Sequence, residues 1–135
     1  MPKLVEIKRY ENYAILIMDN QPFNVLTSEM FEQLTEALEE LTEDKNVGAL
    51  IITGKGHFSV GADVKQIWEI AQNRDIALGR ELLMKAGRVI QLIFNFGRPT
   101  ISAVKCNCLG GGNEITLACS YVLATDESKF GQPEI

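Results

Sequence analysis

The chain has 135 residues, 46% of them hydrophobic and 23% charged, which suits one soluble domain with its own core. A net charge of -5 without a basic stripe argues against a nucleic-acid partner. No apolar run approaches the ~18 residues of a membrane span, and the first residues lack the apolar core of a secretion signal, so the cytoplasm is the expected compartment.

Residues 5–9 and 13–18 are rich in β-branched and aromatic side chains, with Glu11-Asn12 between them, and predict a β-hairpin. A proline loop follows at Asn20-Gln21-Pro22-Phe23-Asn24. Thr27 or Ser28 then caps a helix with acids in its first turn. Its apolar face reads Met30, Phe31, Leu34, Ala37, Leu38 and Leu41, while Glu36, Glu39, Glu40 and Glu43 point to water. Residues 47–53 form an apolar run that predicts a buried strand of a β-α-β unit.

A loop punctuated by Gly54, Gly56 and Gly61 comes next, and Asp63 is placed to cap a helix from Val64. Trp68 on that helix reads as core or pocket wall. A longer helical pattern spans 75–95, carrying Leu78, Leu82, Leu83, Ala86, Val89, Ile90 and Ile93, and Gly97-Arg98-Pro99 stops it. Residues 100–104 form a strand. A further helix begins at the glycine triplet 110–112 and carries Ile115, Leu117 and Ala118. Residues 121–124 are a strand again, and Lys129-Phe130 opens a last one. The chain thus reads as one α/β domain, with glycine turns at strand-to-helix junctions where ligands tend to collect.

Three cysteines, Cys106, Cys108 and Cys119, fit a reducing compartment and small core-filling roles. Cys106 and Cys108 have chelate spacing, but one distant histidine, His57, does not complete a zinc set, so no metal is expected.

Gly110-Gly111-Gly112 has a chemical use beyond a tight turn. Without Cβ atoms the backbone N–H can approach a ligand, and at a helix start that N–H has no internal partner. The second junction, Ser59-Val60-Gly61-Ala62-Asp63, can supply another donor, and two converging donors would make an oxyanion hole. Close packing explains a glycine triplet equally well. Glu114 follows in the first helical turn, where it also complements the helix dipole. Glu134 lies twenty residues on in Gly131-Gln132-Pro133-Glu134 and reads otherwise as a surface residue. Neither junction contains a phosphate-binding G-x-x-x-x-G-K-[ST] loop.

Three segments together resemble the crotonase (enoyl-CoA hydratase/isomerase) family. They are Phe58-Ser59-Val60-Gly61-Ala62-Asp63-Val64-Lys65, then Leu109 to Cys119 around the glycine triplet, then Phe130-Gly131-Gln132-Pro133-Glu134-Ile135. Asn20-Gln21-Pro22 with Asn24 is loosely similar to the stretch after the family's first hairpin. The resemblance implies a ClpP/crotonase spiral of β-β-α units that binds acyl-CoA thioesters, with coenzyme A part of the substrate and no separate cofactor. It places the N–H groups of Ala62 and Gly111 on the thioester carbonyl. Glu114 and Glu134 become the acid/base pair, and Ala62, Asp63, Lys65, Gly110 and Gly111 contact substrate.

Members of the family are longer. Residues 1–135 therefore correspond to the N-terminal part of the spiral, and its C-terminal half and trimerisation helices are expected to be absent. That expectation carries others: association with itself or with a complementary C-terminal half, and weak or no activity alone. An enoyl-CoA isomerase and a non-catalytic assembly or CoA-binding module are the rival readings. A serine hydrolase would need a serine where Asn113 and Glu114 stand.

Overall fold

A computed structural model describes residues 1–134. The expected hairpin is present as β1 (Val5–Arg9) and β2 (Ala14–Met18), antiparallel, with Val5 opposite Met18 and Arg9 opposite Ala14. Tyr10 N donates to Tyr13 O at 2.9 Å to close the turn.

From β2 onward one unit recurs: a long strand, a short strand and a helix. The first is β2, β3 (Val25–Leu26) and α1 (Ser28–Glu43). The second is β4 (Leu50–Gly54), β5 (Gly61–Ala62), α2 (Val64–Gln72) and α3 (Ile76–Phe94). The third is β6 (Thr100–Val104), β7 (Asn107–Leu109) and α4 (Gly111–Ala118), and a fourth begins with β8 (Tyr121–Ala124) and β9 (Lys129–Gly131). The long strands stack in chain order, β1-β2-β4-β6-β8, and all pairs after the hairpin are parallel. The short strands pair as β3-β5 and β7-β9, joined by a bridge between Ser59 and Cys108. This is the β-β-α spiral.

The core lies between the long-strand sheet and α1. Ala14, Leu16, Met18, Leu50 and Ile52 meet the predicted face of α1, whose six apolar residues are all buried. Thr27 caps α1 by accepting from Met30 N at 3.2 Å. At the other end Arg98 donates to the carbonyls of Asp44, Val47 and Thr42, each at 2.8 Å, and its guanidinium stacks 4.2 Å over Phe96. The bonds to Thr42 and Asp44 satisfy carbonyls that the helix end leaves unpaired.

Several expectations need correction. β3, β5 and β7 were not foreseen, because strands of two or three residues carry no readable alternation. β4 begins at Leu50 rather than at Val47, whose N–H instead closes a turn on Asp44 O at 3.1 Å. On α3 only Val89 and Ile93 are buried; Leu78 and Leu83 are exposed, since one helix face alone meets α1. No residue of α2 is buried, and Trp68 is 64% exposed, so it is not core. Leu117 is exposed while Ile115 is buried.

The two edges of the main sheet differ. β1 carries Glu6, Lys8 and Arg9, whereas β8 is Tyr-Val-Leu-Ala and exposed along its whole length. Among the described residues, no helix is long and apolar enough to cross a membrane.

Candidate active site

The two predicted glycine junctions come together. Asn24 organises the first of them. It is fully buried, holds φ at 52°, and its Nδ2 donates to Lys55 O (3.1 Å) and His57 O (2.7 Å) while Oδ1 accepts from Asn20 N (2.7 Å). Ser59 Oγ donates to Asn24 O at 2.7 Å and accepts from Gly61 N at 3.1 Å. These bonds shape the turn into Ala62. They also occupy the Ser59 hydroxyl, and His57 Nδ1 accepts from Asn107 N at 3.1 Å, so neither residue is arranged as a nucleophile with its base.

Gly61 has φ 93°, a conformation that L side chains rarely adopt. A Cβ there would lie 3.0 Å from Leu109 O and 3.3 Å from Gly111 N. The β5–α2 junction therefore abuts the β7–α4 junction. Ala62 is half-buried and pairs in register with Leu26.

The glycine triplet serves three purposes. Gly110 holds φ 53°, and its N–H donates to Gly131 O at 3.0 Å, tying α4 to β9. Gly112 packs so closely on Ser59 that a Cβ would fall 2.7 Å from its carbonyl oxygen. Gly111 supplies the first amide of α4, a position with no intrahelical partner, and Gly110 provides no side-chain cap.

Both candidate carboxylates reach this turn. The Glu134 carboxyl group fills the space that a side chain at Gly110 would need. Glu114 Oε2 lies 4.0 Å from the Cβ position of Gly111, and Glu114 N donates to Gly110 O at 3.0 Å. Both glutamates are exposed. Two concave spaces, about 600 and 660 Å³, lie along α1 with β1 and along α1 with α3, away from the glycine turn.

Asp63 caps α2 as expected, its Oδ1 accepting from Lys65 N (3.0 Å) and Gln66 N (3.4 Å). Its Oδ1 is thereby committed to the helix. Lys65 is exposed in the first turn of α2. Cys106 is exposed and Cys108 buried, where burial pushes its thiol up to about 12. The sequence reading gave Asn113 and Gln132 no role. Asn113 Nδ2 donates to Gln132 Oε1 at 3.1 Å, and Gln132 Nε2 donates to Glu114 Oε1 at 3.4 Å. The only signal was their place inside the quoted motifs.

The sequence pattern of the enoyl-CoA hydratase/isomerase family matches residues 9–135. The chain belongs to this family. Among this enoyl-CoA hydratase/isomerase family member's relatives, a probable enoyl-CoA hydratase of Bacillus subtilis (strain 168) is 35% identical over 123 residues, covering 90% of this chain and 46% of the relative. A crotonyl-CoA hydratase of Syntrophomonas wolfei is 33% identical over 133 residues, covering 96% and 49%. In structure the chain is similar to Pseudomonas aeruginosa DspI, with TM-score 0.90, 27% identity and coverage of 98% and 50%. It is similar also to an enoyl-CoA hydratase/isomerase from Xanthobacter autotrophicus Py2, with TM-score 0.89, 29% identity and coverage of 99% and 50%. The family member thus has the crotonase fold and spans about half the length of the curated relatives it matches.

Proposed function

We propose that this chain carries the oxyanion and acid/base groups of a hydratase that adds water across a 2,3-enoyl-CoA thioester. One observation carries the reading: the carboxylates of Glu114 and Glu134 both face a glycine turn against which the Gly61–Ala62 junction is packed. In this reading Glu114 holds the water and takes its proton as the water oxygen bonds to C3. Glu134 delivers a proton to C2, so protons balance over the reaction. Charge developing on the thioester oxygen is met by the N–H groups of Ala62 and Gly111, which act more strongly on the enolate-like transition state than on the substrate. Gly110, Asp63 and Lys65 line the approach to the thioester and its coenzyme A, and the chemistry calls for no separate cofactor.

Because the chain spans about half of its relatives, the whole activity requires more than these groups. Both carboxylates are exposed, which keeps water around them and weakens electrostatic help. The proposal assigns residues 1–135 to the N-terminal part of the spiral. The remaining wall packs on the exposed apolar surface around β8, whether it is further spiral, a second copy or a complementary C-terminal half. The setting is cytoplasmic, in keeping with three free thiols.

The deciding experiment follows hydration of crotonyl-CoA by the purified chain, alone and at increasing concentration, with Glu114→Gln and Glu134→Gln as controls. Expected are weak turnover that rises with association and a loss of about 10²–10⁴ in either variant. Activity indifferent to both substitutions would reject the assignment. An isomerase needs one proton carrier rather than two; incorporation of solvent oxygen into product separates the reactions. The exposed β8 surface favours one other reading, a non-catalytic assembly module, which predicts saturable CoA binding and a defined oligomer without turnover.

A further inference from the structure

The glycine turn carries a polar chain that water addition does not by itself require. The two oxygens of Glu114 have different surroundings: Oε1 accepts from Gln132 Nε2, while Oε2 turns to Gly111. Gln132 Oε1 in turn accepts from Asn113 Nδ2. Behind Asn113, the buried Thr116 donates its hydroxyl to Asn113 O at 2.6 Å, and Asn113 Oδ1 lies 3.4 Å from the same oxygen.

We propose that Asn113 and Gln132 form a directed two-amide relay that positions Glu114, holding Oε1 and leaving Oε2 free for chemistry at the glycine turn. The direction follows from donor counting. An ionised carboxylate only accepts, so Gln132 must present its NH2 group to Glu114. Its carbonyl then faces Asn113, which must present its own NH2 group. The relay also ties two segments together, since Asn113 and Glu114 start α4 whereas Gln132 follows β9 and stands two residues before Glu134. Asn113 and Gln132 are thus positioning residues, acting through Glu114.

A simple tie between α4 and the segment after β9 would work with the amides in either direction; a relay does not. Asn113→Asp keeps the size of the side chain and removes its donor. Gln132 then has reason to turn its NH2 group toward position 113 and its carbonyl toward Glu114.

What Oε2 does rests on the hydratase reading, but the relay can be tested without turnover. In the 135-residue chain, side-chain amide resonances of Gln132 and the carboxyl carbon of Glu114 are followed by NMR across a pH titration. The expected result is that the Gln132 NH2 signals move with the midpoint of Glu114, that Glu114→Gln abolishes this movement, and that Asn113→Asp cuts its amplitude by about twofold or more. Gln132 signals that ignore the titration of Glu114 in the unmodified chain overturn the relay, as does an amplitude unchanged by Asn113→Asp in a folded variant. Coupled signals in a chain without hydratase activity, even when assembled, support the relay and reject the hydratase reading. Turnover with uncoupled signals does the reverse.

Discussion

A Cβ on Gly61 would lie 3.3 Å from the amide nitrogen of Gly111, so two turns fifty residues apart share one small volume. No side chain fits there without moving the backbone, because Leu109 O is closer still at 3.0 Å. Gly61→Ala is expected to cost about 1–3 kcal/mol from the positive φ alone. Urea unfolding measures that loss. The same variant should weaken acyl-CoA binding, read by calorimetry, because it pushes apart the two amides assigned to the thioester oxygen.

Asn24 joins three backbone groups from two loops while fully buried. Asn24→Ala leaves His57 O without this donor and Asn20 N without its acceptor, whereas Lys55 O keeps its bond from Gln21 Nε2. Each buried group left unpaired costs about 1–3 kcal/mol, so a loss of several kcal/mol is expected in a denaturant titration. Asn24→Asp should recover only part, since it keeps the acceptor for Asn20 N but not the donor. Equal stability of the two variants would show that the acceptor half contributes nothing.

Cys108 gives a pH dependence whose sign is fixed. Burial raises its thiol from 9.0 to about 12, so between those values the unfolded chain loses a proton that the folded chain keeps. The unfolded state then binds fewer protons, and stability falls as pH rises through this window, being fully present below about 9. The slope from one such group approaches about 1.4 kcal/mol per pH unit. Lysines and tyrosines titrate in the same range, so the comparison is between the unmodified chain and Cys108→Ala. The variant should show a shallower alkaline decline in unfolding free energy. A thiol reagent at neutral pH should modify exposed Cys106 well before Cys108.

At β8, Tyr121, Val122 and Leu123 are 64%, 45% and 65% exposed, with Leu117 nearby in sequence at 74%. Apolar surface of this kind, on a strand edge without charge, is expected to drive association. Sedimentation velocity should show average mass rising with concentration. Leu123→Lys should shift the chain toward monomer with little change in its melting temperature. A monomer at all concentrations before substitution would remove the basis for placing a partner there.

Much of the spiral was legible because its helices are long and regular. The period of α1, from Met30 to Leu41, specified its buried face residue by residue. Asp63 marked a helix start and does cap α2. The short strands were not legible, for two residues such as Gly61 and Ala62 have no period to read. Trp68 and Leu83 misled because apolar periodicity reports which face can be buried, not whether a neighbour is there to bury it. At the site, the glycines and glutamates were found through their motif. The bond from Gln132 to Glu114 depends on how a segment eighteen residues away folds back, and no local pattern encodes that.

The order of the main sheet, β1-β2-β4-β6-β8, is also the order in which the ribosome makes these strands. Each long strand that leaves the exit tunnel finds its docking edge already built, and none must wait for a later one to be inserted between neighbours. Assembly can therefore advance as a ratchet during synthesis, with one growing front at any moment. An antiparallel fold of the same size with interleaved strands would lack that directionality.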